Sequence, residues 1–408
     1  MNISHKVNIF KYLGPGILVT VGFIDPGNWA ANLSAGSMFG YSLLWMVSLS
    51  TLMLILLQHN SAHLGIITGK CLAESASHHI SSKFVQPILG SAYIASIATA
   101  MAEILGGAIA INMLFNIPVK FSAIILLIIV IITILLNSYH KLEKLIIGFV
   151  AIISFCFIYE TTLFDINWQQ VALSASIPSF PPNSLLIIAS VLGAVVMPHN
   201  LFLHSEIIQN REWNLADEKI KKKLLNYEFL DTIISMLLGW AINSVIIILA
   251  AEVFFKNNIA VDSLPQASEL LKPLLGNYAF IMFAIALLFS GFASSITAGM
   301  SGGIIYSGMF KRSYNQKSSN TKFGIIFSLA IATLIIIFID NPLKGLVYSQ
   351  VLLCMQLPIT IFLQIYLTSS KKVMGKYANS AITNILLLSC GIFVSILNVF
   401  LLITLLFD

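Results

Sequence analysis

Eleven apolar stretches run the length of this chain, at roughly 14–36, 42–66, 86–115, 121–137, 143–162, 184–208, 227–253, 276–308, 323–339, 345–369 and 380–406, with only short polar connections between them. About 20 apolar residues suffice for a helix to cross a bilayer, so this succession restricts the chain to folds whose solvent is lipid. The composition agrees: of 408 residues, 58% are hydrophobic and 10% charged, where a soluble domain carries about a quarter charged. The spans use up the length and leave no room for a separate catalytic or nucleic-acid-binding module. The expected fold class is an all-α integral membrane protein, a single transmembrane domain over residues 1–408.

Placing the N-terminus in the cytoplasm and alternating sides assigns 18 of the 22 Lys and Arg to the cytoplasmic face and leaves only Lys120, Lys256, Lys272 and Lys344 opposite. One missed or invented span would scramble that asymmetry, so span count and orientation support each other. The run Lys221 to Lys223 reads as a topology anchor rather than a lipid-binding motif. Met1 to Phe10 is polar, with no short apolar run ending in a small-residue cleavage site, so the first span is expected to stay in the mature protein. Cys71, Cys156, Cys354 and Cys390 are isolated and read as small apolar packing residues, not as a metal or disulfide framework.

Two spans are interrupted near their middle. The first reads Gly22-Phe23-Ile24-Asp25-Pro26-Gly27-Asn28 and the sixth Ala194-Val195-Val196-Met197-Pro198-His199-Asn200. Proline removes one backbone N–H and clashes with the carbonyl four residues earlier, which would free the carbonyls of Gly22 and Ala194. In hydrocarbon a freed carbonyl needs protein, water or an ion to satisfy it. Broken helices at matching positions in two halves point to an inverted-repeat transporter with its site near the midplane. Ordinary proline kinks are the alternative, weakened by the polar neighbours of both breaks.

Asp25 sits inside an apolar span, where an ionisable side chain is a functional candidate by default. Asn28 offers an amide oxygen and Met197 a thioether from the opposite break. With the two carbonyls they make a ligand set of one carboxylate, neutral oxygens and one soft sulfur, which favours first-row transition ions over Mg²⁺ and Ca²⁺. Met197 is one of 13 methionines, most of them packing residues, and only its place beside Pro198 singles it out. Glu103, mid-helix, and His199 are candidates for carrying protons; a neutral packed histidine is the alternative, outweighed by a functional role at His199 and favoured at His204. Glu206, Glu228 and Asp231 fall near span ends beside the basic loop, where solvated or ion-paired roles are expected. Asn243, Gln350 and Gln356 could supply amide oxygens or simply bond helix to helix.

The stretch Gly14-Pro15-Gly16 through Asp25-Pro26-Gly27-Asn28-Trp29-Ala30, with Met197-Pro198-His199-Asn200 and Leu203-His204-Ser205, resembles the NRAMP family of divalent metal transporters. Leu64 to Lys70 and Ser349 to Pro358 extend the likeness over nearly the whole chain. The resemblance implies the LeuT fold: inverted repeats over 14–162 and 184–369, and an eleventh helix over 380–406. It implies metal ligation by Asp25, Asn28, Met197 and the carbonyls of Gly22 and Ala194, with Gln356 joining in some conformations, and a proton route through Glu103 and His199. Three positions depart from the pattern: Ala100 replaces the usual aspartate, Thr321-Lys322-Phe323-Gly324 lacks the usual arginines, and Phe292 stands where a glutamine is common.

The expected activity is alternating-access import of Mn²⁺ or Fe²⁺, with Cd²⁺-like soft ions also accepted and protons as possible co-substrates. The metal is cargo, with no cofactor, and the expected unit is a monomer in the cytoplasmic membrane that binds no nucleic acid and is not an enzyme. Three alternatives stay open. Metal transport without proton coupling is one, and a sodium-coupled organic-solute carrier of the same fold is another. An intramembrane metalloenzyme using His199 and His204 is the third, although their spacing is not that of an HExxH pair.

Overall fold

A computed structural model describes residues 24–136, 148, 165–261 and 263–407. Every regular element among the described residues is helical. Among the described residues, nine apolar segments are long enough to cross a membrane. The first of these, Pro26–Thr68, contains two helices, α1 (Pro26–Phe39) and α2 (Leu44–Thr68), separated by a turn at Gly40. The other eight coincide with the stretches at 86–115, 121–137, 184–208, 227–253, 276–308, 323–339, 345–369 and 380–406. The stretch at 143–162, apart from residue 148, and the part of the first apolar stretch before residue 24, with the Gly22 carbonyl, lie outside the described residues.

Local chemistry sets the ends of these helices. The chain leaves α2 through Gly69 in the left-handed region, its N–H donating to the Gly65 carbonyl. A short helix, α3 (Leu72–His79), follows and is started by Cys71 and Glu74 in a reciprocal cap. Next come α4 (Ser82–Phe115), closed by Asn116 in the left-handed region, and α5 (Val119–Leu136). The amphipathic helix α6 (Trp168–Ser176), with no buried residue, precedes the broken pair α7 (Leu185–Val195) and α8 (Pro198–Ile207). Helix α9 (Glu218–Ala250) starts nine residues before the apolar stretch that announced it, because its first turns carry the lysine run in helical form. The bundle closes with α10 (Leu264–Met309, kinked at Gly276), α11 (Ser319–Ile337), α12 (Pro342–Thr368), the single turn α13 (Lys371–Met374) and α14 (Ala381–Phe407).

Burial is inverted relative to a soluble protein. Ile124, Ile125, Ile128, Ile129 and Ile132 of α5 and Ile382, Ile385, Ile392 and Ile396 of α14 point outward, while Asp25, Asn28, Glu103, His199, His204, Gln350 and Gln364 are inside. That arrangement suits a hydrocarbon surround, in which polar groups survive only by facing one another. The chain is a multi-pass membrane protein.

Candidate metal site at the two helix breaks

Both prolines start a helix for the reason the sequence gives. Pro26 and Pro198 each occupy the first helical position, where a missing N–H is tolerated, and the residue before each is extended. Asp25 caps α1: its carboxylate accepts from the Asn28 backbone N–H at 2.6 Å and from Asn28 Nδ2 at 3.1 Å. The Ile24 carbonyl accepts from Trp29 Nε1 at 3.1 Å and from the Ser290 hydroxyl of α10. On the other side, α7 ends at Val195 and the Ala194 carbonyl has lost its helical donor to Pro198. Asn28 Nδ2 reaches across and donates to it at 2.8 Å.

The two breaks are held face to face by close backbone packing. A Cβ on Gly193 would stand 1.9 Å from the Gln350 carbonyl of α12, and one on Gly27 would stand 2.0 Å from Gln350 Nε2. Glycine at both places lets α1, α7 and α12 converge. Met197 is fully buried among Ala95, Ala98 and Leu353, with Asn200 Nδ2 directed at its sulfur at 3.8 Å. Asp25, Asn28, Ala194, Met197, Glu103 and His199 are all buried to within 1%. The breaks are sealed from solvent in this conformation.

Glu103 of α4 faces the Asp25 carboxylate and accepts from the Ser294 hydroxyl of α10. Two acidic groups side by side in a buried setting need a cation or a shared proton between them. His199 Nδ1 meets Thr99 Oγ1 at 3.1 Å, and the His199 carbonyl accepts from Ser301 Oγ at 2.7 Å. Asp25, Asn28, Ala194, Glu103 and Gln350 are thus brought together around the breaks. Gln356 is not gathered there: it bonds Ser91 and Thr360. Gln350, one and a half turns earlier on α12, is the amide against the first break, and its Oε1 has no hydrogen-bond partner among the described residues.

A family model for natural resistance-associated macrophage protein-like sequences matches residues 16–404. The chain belongs to the Nramp family. A divalent metal cation transporter, MntH, of Caldanaerobacter subterraneus subsp. tengcongensis is 36% identical to this Nramp chain over 95% of its length and 91% of the relative's. A crystal structure of the Eremococcus coleocola manganese transporter, in complex with an aromatic bis-isothiourea substituted compound, superposes with a TM-score of 0.85 at 28% identity, covering 98% of this chain and 87% of the other. Mhp1, a nucleobase-cation-symport-1 family transporter, shares the fold alone, with a TM-score of 0.64 at 15% identity over 86% of this chain and 77% of its own. The LeuT-type all-α architecture that the resemblance implies is therefore the architecture of this Nramp chain.

Other expectations need correction. Of the solvated or ion-paired roles expected for Glu228 and Asp231, burial removes the solvated one: they are 1% and 2% exposed, and Glu228 contacts His59; the basic turns of α9 sit at its start, and by Glu228 the helix has entered the bundle. Cys71 is no plain packing residue. Its sulfur and one oxygen each from Glu74 and Glu206 lie within 4.8 Å of one another, a grouping of ligand atoms that no spacing motif announced, because Glu206 comes from a distant helix. At the three departures, Ala100 is fully buried and lends His199 nothing, so the Thr99 hydroxyl is its partner. Thr321 instead bonds the hydroxyls of Ser307 and Ser318, a neutral cluster in place of the family's arginines. Phe292 lines an apolar groove with Phe115 and Phe289.

Proposed function

We propose that this chain carries divalent transition-metal ions, Mn²⁺ or Fe²⁺, across the cell membrane by alternating access, and that the cation binds between the breaks of α1 and α7–α8. The observation that carries this reading is the Asn28–Ala194 bond. It spans the breaks where the Asp25 carboxylate, a proline-freed carbonyl and the Met197 segment meet, a mixed oxygen and sulfur set suited to first-row ions. On entry of a cation the Asn28 amide would turn its oxygen toward the metal and release the Ala194 carbonyl to do the same. The Gly22 carbonyl completes the proposed set, and Gln356 joins after α12 shifts. The halves 14–162 and 184–369 act as inverted repeats, with the lysine-rich face and the N-terminus in the cytoplasm. Protein groups supply only binding and release, so the chain is a carrier rather than an enzyme, and the metal is its cargo.

Uptake of Mn²⁺ into proteoliposomes tests the reading. The parent chain should accumulate the ion and Asp25→Ala should not; full uptake by that variant would remove the site from the account. A second reading, metal transport without proton coupling, is favoured by the Thr99 hydroxyl beside His199 where the fully buried Ala100 supplies no carboxylate. An internal pH reporter in the same vesicles separates the two, since acidification in proportion to uptake occurs only with coupling.

A further inference from the structure

Away from the breaks, a second set of titratable side chains lies buried between α2, α8 and α9. Glu228 of α9, 1% exposed, contacts His59 Nδ1 of α2 and accepts from Thr232 Oγ1 at 2.7 Å. His204 of α8 stands on its other side, with Nε2 4.0 Å from Glu228 Oε1. His204 Nδ1 meets Gln58 Oε1 at 2.9 Å. With the amide so assigned, Nδ1 carries the proton and Nε2, which has no hydrogen-bond partner among the described residues, is the basic nitrogen aimed at Glu228. His63, one turn beyond His59, lays its ring nearly parallel to it, 6.3 Å between centroids and 8° between planes. His59 is 32% exposed, and both rings line a cavity of about 260 Å³ with Asn60, Asn379 and Ser380 at the end of the bundle that holds the start of α14.

No lysine or arginine lies within 4.0 Å of Glu228 among the described residues. The titratable groups facing it are His59 and His63 from α2 and His204 from α8; Tyr227 and Asp231 share its helix and have interactions of their own. Asn379, Ser380 and Thr383 from the α13–α14 segment are uncharged. A carboxylate in the interior of a membrane protein that contacts one imidazole and faces the unpaired nitrogen of another marks a functional arrangement more often than a structural one. The group also stands in a chain whose α4 has Ala100, and whose α11 begins without arginine.

We propose that His204, Glu228 and His59 form a proton relay between the interior of the bundle and the cavity beside His63. His204 Nε2 takes up one proton and becomes an imidazolium. It passes that proton to Glu228, which becomes a neutral acid as the imidazole returns to its starting charge. Glu228 gives the proton to His59 Nδ1, and the His59 ring releases one from Nε2 to water in the cavity, directly or by way of His63. One proton moves at each step, and no other charge is created. The 4.0 Å gap between His204 and Glu228 is open in this conformation and closes by a shift of about one ångström to reach hydrogen-bonding distance. Since α8 is one of the broken helices, the relay is coupled to the same rocking that exposes the metal site.

The relay rests on the transport reading, and the test keeps the two apart by measuring ⁵⁴Mn²⁺ uptake and internal acidification in the same proteoliposomes. Glu228→Gln and, separately, His59→Gln should keep metal uptake while the protons moved per metal fall severalfold. His59→Gln, on a partly exposed residue, keeps the test informative if the buried Glu228 variant does not fold. A mere helix-to-helix tie would lower uptake and proton movement together and leave their ratio unchanged. An unchanged ratio overturns the relay, as does uptake without acidification in the parent chain, and either result leaves metal transport standing. Absence of uptake in the parent would overturn both.

Discussion

Asn28 Nδ2 donates to the Ala194 carbonyl at 2.8 Å, joining the break in the first span to the break in the sixth across 166 positions of sequence. Both residues are fully buried, so the bond has no competing water. It ties together the two elements between which the proposed cation would bind.

Asn28→Ala should therefore act twice. Leaving the Ala194 carbonyl unsatisfied in the interior costs about 1–3 kcal/mol, which should lower the unfolding midpoint in detergent. Loss of the amide also removes a proposed ligand, so Mn²⁺ uptake should fall by roughly tenfold or more. Unchanged stability and unchanged uptake would mean that the bond carries neither load.

Met197 tests selectivity rather than existence of the site. Its sulfur is the only soft donor in the proposed ligand set, and soft donors discriminate against Mg²⁺ and Ca²⁺. Met197→Ala should retain Mn²⁺ uptake while Mg²⁺ or Ca²⁺ becomes an effective competitor. If competition is the same as in the parent, discrimination comes from the oxygen ligands or the size of the site.

The breaks were legible because proline acts through the covalent backbone: Pro26 and Pro198 each start a helix, Pro198 directly after another helix has ended, and Asp25 caps as its chemistry requires. The spans were legible for a similar reason, since lipid tolerates little but apolar length. Residues whose role depends on which helices meet were not. Glu228 looked peripheral beside Lys221 to Lys223, yet α9 carries it inward to His59 and His204. Gln350 and Gln356 are equivalent in sequence, and only the approach of Gly27 and Gly193 to α12 puts Gln350 against the breaks. Helix α6 escaped notice because nine residues with no buried face give no apolar run.

Cys71 gives a pH signature outside the membrane. Burial, with Glu206 and Glu74 beside it, pushes its thiol well above the ordinary range. A group raised on folding contributes stability that is fully present below its unfolded value, about 8.5 for a thiol, and is lost as the pH climbs toward the folded value. The parent should lose thermal stability between about pH 8 and pH 10. Cys71→Ser keeps a hydroxyl to cap α3 and should lose less over that interval. Parallel curves for the two would show that the Cys71 thiol is not what titrates.

The most direct test of the site is equilibrium Mn²⁺ binding to the detergent-solubilised chain, followed by the electron paramagnetic resonance signal of the free ion. One ion should bind per chain, and Asp25→Ala should abolish that binding while leaving the helical content unchanged. Undiminished binding by a folded Asp25→Ala chain would contradict a metal site at the two breaks.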